Sequence, residues 1–96
     1  MSASIYLIAR IRARAGQEDA LKQALGTLVA PTRREAGCVQ YDFLQDPAEA
    51  REFCFVEQWE SEKALARHTD SDHLKKVLAE AHDFIDGSEG RQYVHV

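Results

Sequence analysis

Apolar residues recur at every second position from 4 to 14, where Ile5, Leu7, Ala9, Ile11 and Ala13 share one side of an extended chain. The other side opens with Tyr6 and Ile8 and continues with Arg10, Arg12 and Arg14. Gly16 breaks this strand. Gln17-Glu18-Asp19 then puts acids where the positive end of a helix dipole favours them. Ala20, Leu21, Ala24, Leu25, Leu28 and Val29 follow at helical spacing. Pro31 lacks an N–H and disfavours helical geometry at Ala30, so the helix is predicted to stop or kink there. Proline is at ease in a first turn, which leaves residues 31–36 room for one more. Gly37 is placed to take the left-handed conformation that closes it.

The period then returns to two. Cys38 to Gln45 reads as a second strand, Asp46-Pro47 opens a turn, and Glu52 to Glu60 reads as a third strand. Ser61 suits the N-cap of a short helix through Arg67, and Thr69-Asp70-Ser71 breaks it. The next helix carries Leu74, Val77, Leu78, Ala81, Phe84 and Ile85 on one face and stops before the connection "DGSEG". Gln92 to Val96 is the predicted last strand. The order β-α-β-β-α-α-β is that of an α+β, ferredoxin-like fold, a four-stranded antiparallel sheet with helices on one face. In the third strand Phe53, Phe55 and Trp59 project to one side, Cys54 and Val56 to the other. Helices cover only one side, so the second apolar face predicts a homodimer packed sheet against sheet.

Composition adds constraints. The chain of 96 residues makes a single domain, 1–96. A globule of this size buries roughly 60–65% of its unfolded surface, so self-association would add useful stability. If segments 38–45 and 52–59 pair as a hairpin, the only two cysteines, Cys38 and Cys54, fall out of register by more than ~10 Å, too far for a disulfide. Reduced thiols point to the cytoplasm. The N-terminal run contains arginines, which fits neither a signal peptide nor a membrane span. Net charge is −4, and the arginine series lies on a strand without interleaved aromatics, so neither nucleic acid nor membrane is an expected partner.

With these elements in place, "APTRREAGCVQYDF" followed by "FVEQWESEKALARHTDSDH" resembles the antibiotic biosynthesis monooxygenase domain of the dimeric α+β barrel superfamily. The matching elements are Pro31-Thr32-Arg33, Glu35, Gly37-Cys38, Tyr41, Glu57, Trp59, Ala64-Leu65, His68 and His73. The resemblance implies small homodimers with a pocket between sheet and helices in each subunit. It also implies oxidation of quinols or polyphenols by molecular oxygen without metal, flavin or haem. Other members isomerise small signalling sugars or degrade haem. The haem branch pattern has an asparagine, a tryptophan and a histidine where this chain aligns Ala9, His68 and Leu78. None matches. The Pro31–Gly37 segment reads as structural, ending a helix and aiming the second strand.

If odd residues pair with odd in the central hairpin, Tyr41, Phe43, Phe53, Phe55, Glu57 and Trp59 share a face. Under helices this face is an aromatic slot holding one acid, suited to a flat hydroxylated ring. Desolvation would raise the pKa of Glu57 and fit it to accept a phenol proton. His68, just past the short helix, is the second candidate base, and Trp59 completes the expected catalytic set. Tyr41, Phe43, Phe53, Phe55 and His73 are the expected substrate-binding residues. The alternative for Trp59 is a core aromatic, for Glu57 a partner of Arg34, and for His68 and His73 solvated helix surface. No metal is expected: His68 and His73 are five residues apart, where four would stack two ligands on one helix. No cofactor is expected either, because an electron-rich quinolate can itself reduce oxygen. A cofactor-independent monooxygenase acting on a quinol or polyphenol is therefore the leading reading. A small-molecule isomerase and a non-catalytic ligand-binding module remain as alternatives.

Overall fold

The structure is a computed structural model and describes residues 4–96. Four strands, β1 (Ile5–Ala13), β2 (Cys38–Gln45), β3 (Glu52–Trp59) and β4 (Ile85–Tyr93), form one antiparallel sheet in the order β2-β3-β1-β4. Helices α1 (Glu18–Gly26), α2 (Val29–Arg33), α3 (Glu62–Thr69) and α4 (Asp72–Ala81) complete the ferredoxin-like plan. The central hairpin pairs odd with odd, Tyr41 opposite Glu57 and Phe43 opposite Phe55. Cys54 stands opposite Leu44 and Cys38 opposite Trp59, and both thiols are free.

Side-chain alternation sorts the two faces. Ile5, Ile11, Ala13, Tyr41, Phe53, Phe55 and Trp59 are buried beneath Leu21, Leu25, Leu28, Ala64, Leu65, Val77 and Ala81. The opposite face carries Tyr6, Ile8, Cys54 and Val56, all half-buried, and the exposed Leu44.

Three boundaries depart from the sequence reading. The first helix ends at Gly26, four residues before Ala30. Pro31 has no N–H to donate back to Thr27, and the chain instead tightens, Thr27 N–H bonding Ala24 O and Leu28 N–H bonding Leu25 O. Helix α2 then carries Pro31 in its first turn. Helix α3 extends through Thr69, so His68 lies within it. The largest departure is β4. The "DGSEG" stretch is strand, with Gly87 opposite Arg12 and Gly90 opposite Ala9, while residues 94–96 lie beyond it. Phe84 and Ile85, expected on the last helix, fall in a 3-10 turn (His82–Phe84) and at the start of β4. A polar, glycine-rich segment has weak strand propensity, but the open edge of β1 supplies backbone partners that propensity does not report.

Gly37 has φ +86°, and a Cβ there would stand 2.5 Å from the Ala64 Cβ. The turn therefore needs glycine for its conformation and for its close approach to α3. Gly37→Ala should cost about 2 kcal/mol of stability, read by chemical denaturation. A loss below ~0.5 kcal/mol would show that the turn relaxes freely.

Candidate active site

Rows across the sheet set the site. Leu7, Glu57 and Tyr41 make one row on the helix-covered face; Ala9, Phe55 and Phe43 make the next. Ser61, the N-cap of α3, accepts a hydrogen bond from Ala64 N–H. This fixes the helix so that His68, two turns on, lies over the rows. Ser71 caps α4 and also donates to the His68 carbonyl at 2.7 Å, joining the two helices. His73 follows on the first turn of α4.

The His68 ring is enclosed. It stacks on Trp59 with centroids 4.7 Å apart and meets Tyr41 edge-on at 5.5 Å. Its Nδ1 lies 2.6 Å from Glu35 Oε2, and the same oxygen lies 2.8 Å from His73 Nε2. An ionised carboxylate offers only lone pairs, so both ring nitrogens are assigned as donors to Glu35. A neutral His68 then carries its lone pair on Nε2, which stands 4.0 Å from Glu57 Oε1. Glu57 Oε1 accepts from Trp59 Nε1–H at 2.9 Å. Arg34, the alternative partner for Glu57, is not its hydrogen-bond donor.

Glu57 is 3% exposed and His68 is 3% exposed, so both act in a low-dielectric setting. Burial pushes the Glu57 carboxyl up to about 7; the Trp59 N–H opposes the rise and the charge of Glu35 adds to it. Burial also holds the Tyr41 hydroxyl well above its ordinary range, with Glu57 adding to the rise and Thr32 opposing it. Thr32 Oγ1 is buried and, among the described residues, makes no hydrogen bond of good geometry. It still lies close enough to Tyr41 to favour the phenolate slightly.

The structure thus brings Glu57, Trp59, Tyr41, His68 and His73 together. Phe55 packs on Tyr41, with centroids 5.1 Å apart, and Phe43 stacks on Phe55 at 4.6 Å. Phe53 belongs to the row of Ile11 and Gln45, two rows from Glu57, where it stacks on Phe43 as part of the core. Trp59 is fully buried and has one ring face covered by His68. Next to Glu57 and Phe55 the floor continues into half-buried Leu7 and Ala9, then exposed Gln92 and Gly90 of β4. That strip is the open side of the site.

The five-residue spacing spoke only against two ligands on one helix face; His68 and His73 converge from two helices, whose break turns His73 back toward His68. The Pro31–Gly37 segment does more than end a helix. Its turn delivers Glu35, whose part in the site was missed. The available signal was an acid in a segment whose structural work requires only the proline and the glycine.

The sheet topology defines an α+β, ferredoxin-like domain whose helix-covered face holds a buried acid–imidazole group. The family model for antibiotic biosynthesis monooxygenases matches residues 4–80, and the chain belongs to that family. It is 32% identical over 85 residues to the Mycobacterium tuberculosis protein "Putative monooxygenase Rv0793", covering 88% of this chain and 83% of that protein. The crystal structure of PA3566 from Pseudomonas aeruginosa superposes with a TM-score of 0.94 at 36% identity, over 100% of this chain and 97% of that one. The structure of a "Putative antibiotic biosynthesis monooxygenase from Nitrosomonas europaea" shares the fold, with TM-score 0.92 at 20% identity over 100% of this chain and 93% of that one.

Proposed function

We propose that this protein is a cytoplasmic, homodimeric monooxygenase that oxidises a quinol or polyphenol with molecular oxygen, using electrons from the substrate itself. The observation that carries the reading is the Glu35–His68 contact of 2.6 Å, which leaves His68 Nε2 as a base facing Glu57 in an aromatic enclosure. His68 accepts the proton of a ring hydroxyl, and Glu35 stabilises the imidazolium that forms. Glu57 is poised near neutrality to hold or release a second proton. The resulting quinolate is a far stronger electron donor than the quinol. For a hydroquinone, one oxygen atom of O2 enters the ring and the other leaves as water, giving a hydroxyquinone. All four electrons come from the quinol, so the balance needs no further reductant.

The strip beside Glu57 supports a flat substrate, since Ala9 and Gly90 carry little or no side chain and leave room for a ring next to Leu7. Glu57 and Phe55 would border it, with Tyr41 and Phe43 packed behind them on β2. The half-buried Tyr6, Ile8, Cys54 and Val56 on the opposite face support the homodimer, because a second sheet would cover them. Free cysteines fit the cytoplasm. No described helix is long and apolar enough to cross a membrane.

The test is oxygen uptake by chelator-treated protein across a panel of hydroquinols, corrected for autoxidation. Protein-dependent uptake that saturates with substrate is expected. No uptake across the panel would overturn the reading, and turnover without oxygen consumption would assign the same base to an isomerase.

A further inference from the structure

Glu35 meets two imidazoles at once, and those three residues come from three separate elements: the turn after α2, the last turn of α3 and the first turn of α4. His68 Nδ1, Glu35 Oε2 and His73 Nε2 all lie within 4.8 Å of one another. We propose that Glu35, His68 and His73 form a binding site for a divalent transition-metal cation, each imidazole shifting its proton from the nitrogen that faces Glu35 to its other ring nitrogen as the ion binds. The proposal uses side chains of the proposed active site but does not depend on the substrate or the reaction.

The donor set selects the class of cation. Two imidazole nitrogens and one carboxylate oxygen suit zinc, cobalt or copper, whereas magnesium and calcium prefer all-oxygen sites. Bonds of about 2.1 Å put the ligand atoms of a tetrahedral ion about 3.4 Å apart. Glu35 Oε2 therefore has to retreat by somewhat over half an ångström from each nitrogen. The site has the freedom for this. The His73 side chain is 29% exposed and Glu35 16%, against 4% for His68. A cation enters from the His73 side, and water completes its coordination. Two braces hold the buried ligand: Trp59 stacks on the His68 ring, and the Ser71 hydroxyl ties the His68 carbonyl to the start of α4. Ser71 Oγ also stands 3.4 Å from His73 Nε2.

Binding at Nδ1 has a consequence for the other nitrogen. A neutral His68 with a metal on Nδ1 carries its proton on Nε2, the atom that faces Glu57. The cation therefore converts the inward-facing base into a donor. Loaded protein would be unable to take a substrate proton at His68.

Cobalt(II) titration of chelator-treated protein tests this without substrate. Trp59 is the only tryptophan, and its ring lies 4.7 Å from the His68 centroid, so a paramagnetic ion on His68 quenches its fluorescence. The expected result is saturable quenching at one ion per chain, reversed by chelator, with weak visible absorption of nitrogen–oxygen ligation. His73→Ala and Glu35→Ala should each weaken binding at least tenfold, while His82→Ala should leave it unchanged. Circular dichroism and the emission of metal-free Trp59 report whether each variant is folded, and Glu35→Gln serves if the alanine variant is not. No saturable quenching below millimolar cobalt would overturn the proposal. Quenching that survives substitution of both ligands, or the strong charge-transfer absorption of a thiolate, would also overturn it. Failure here leaves the oxygen-uptake test standing, because that test is run with chelator present.

Discussion

Replacing His68 by alanine should lower quinol-dependent oxygen uptake by about 10²–10⁴-fold, the contribution of a positioned base, or about 3–5 kcal/mol of barrier. The fall should appear in kcat, because the buried ring contacts Trp59, Tyr41 and Glu35, leaving the open strip where substrate would lie in place. A merely structural histidine predicts a different result. Its loss would weaken folding and leave the activity per folded molecule unchanged. Added imidazole separates the two cases, since a small base diffusing into the vacated space should restore part of the turnover. Unchanged turnover in folded His68→Ala would remove His68 from the mechanism.

Glu57→Gln should leave the protein more stable than its parent above pH 7, by up to about 3 kcal/mol. The Glu57 carboxyl keeps its proton to about 7 when folded, against 4.5 for the free side chain. Between those values the folded state binds a proton that the unfolded state has released, so stability falls as pH rises through this window. The spread is about 2.5 pH units at about 1.4 kcal/mol per unit. Glutamine keeps an oxygen for the Trp59 N–H and carries no charge to desolvate, but its amide hydrogens need partners, which offsets part of the gain. Denaturant unfolding at pH 5, 6, 7 and 8 measures the effect. The parent should lose stability across the series, and the variant should lose much less. Parallel curves would show that Glu57 is not the group responsible. The same substitution should depress turnover, because it removes the second proton acceptor, a trade of activity for stability expected where a functional acid is buried.

Period and punctuation made the secondary structure largely legible. Alternation in β1, β2 and β3 identified each strand and its buried side, and Gly37 and Ser61 marked turns that the structure uses as the sequence implied. Strand β4 was illegible over Ile85–Gly90 because its residues have neither alternation nor propensity, and its existence depends on the edge of β1. The helix break at Gly26 was placed four residues late because the missing hydrogen bond of Pro31 acts one turn upstream of the proline itself.

The sequence by itself determined the class of fold, the two-faced sheet and the acid and histidine that share the buried side. These follow from periods of two and 3.6 residues, which local geometry imposes on any chain. Tertiary structure alone decided that Glu35, 33 residues before His68, takes a proton contact from both His68 and His73. It also decided which nitrogen of His68 faces Glu57. Both depend on the angle at which α3 and α4 lie against the turn after α2. That angle is set by packing among residues far apart in the chain, such as Ala64 against Gly37, which no local period encodes.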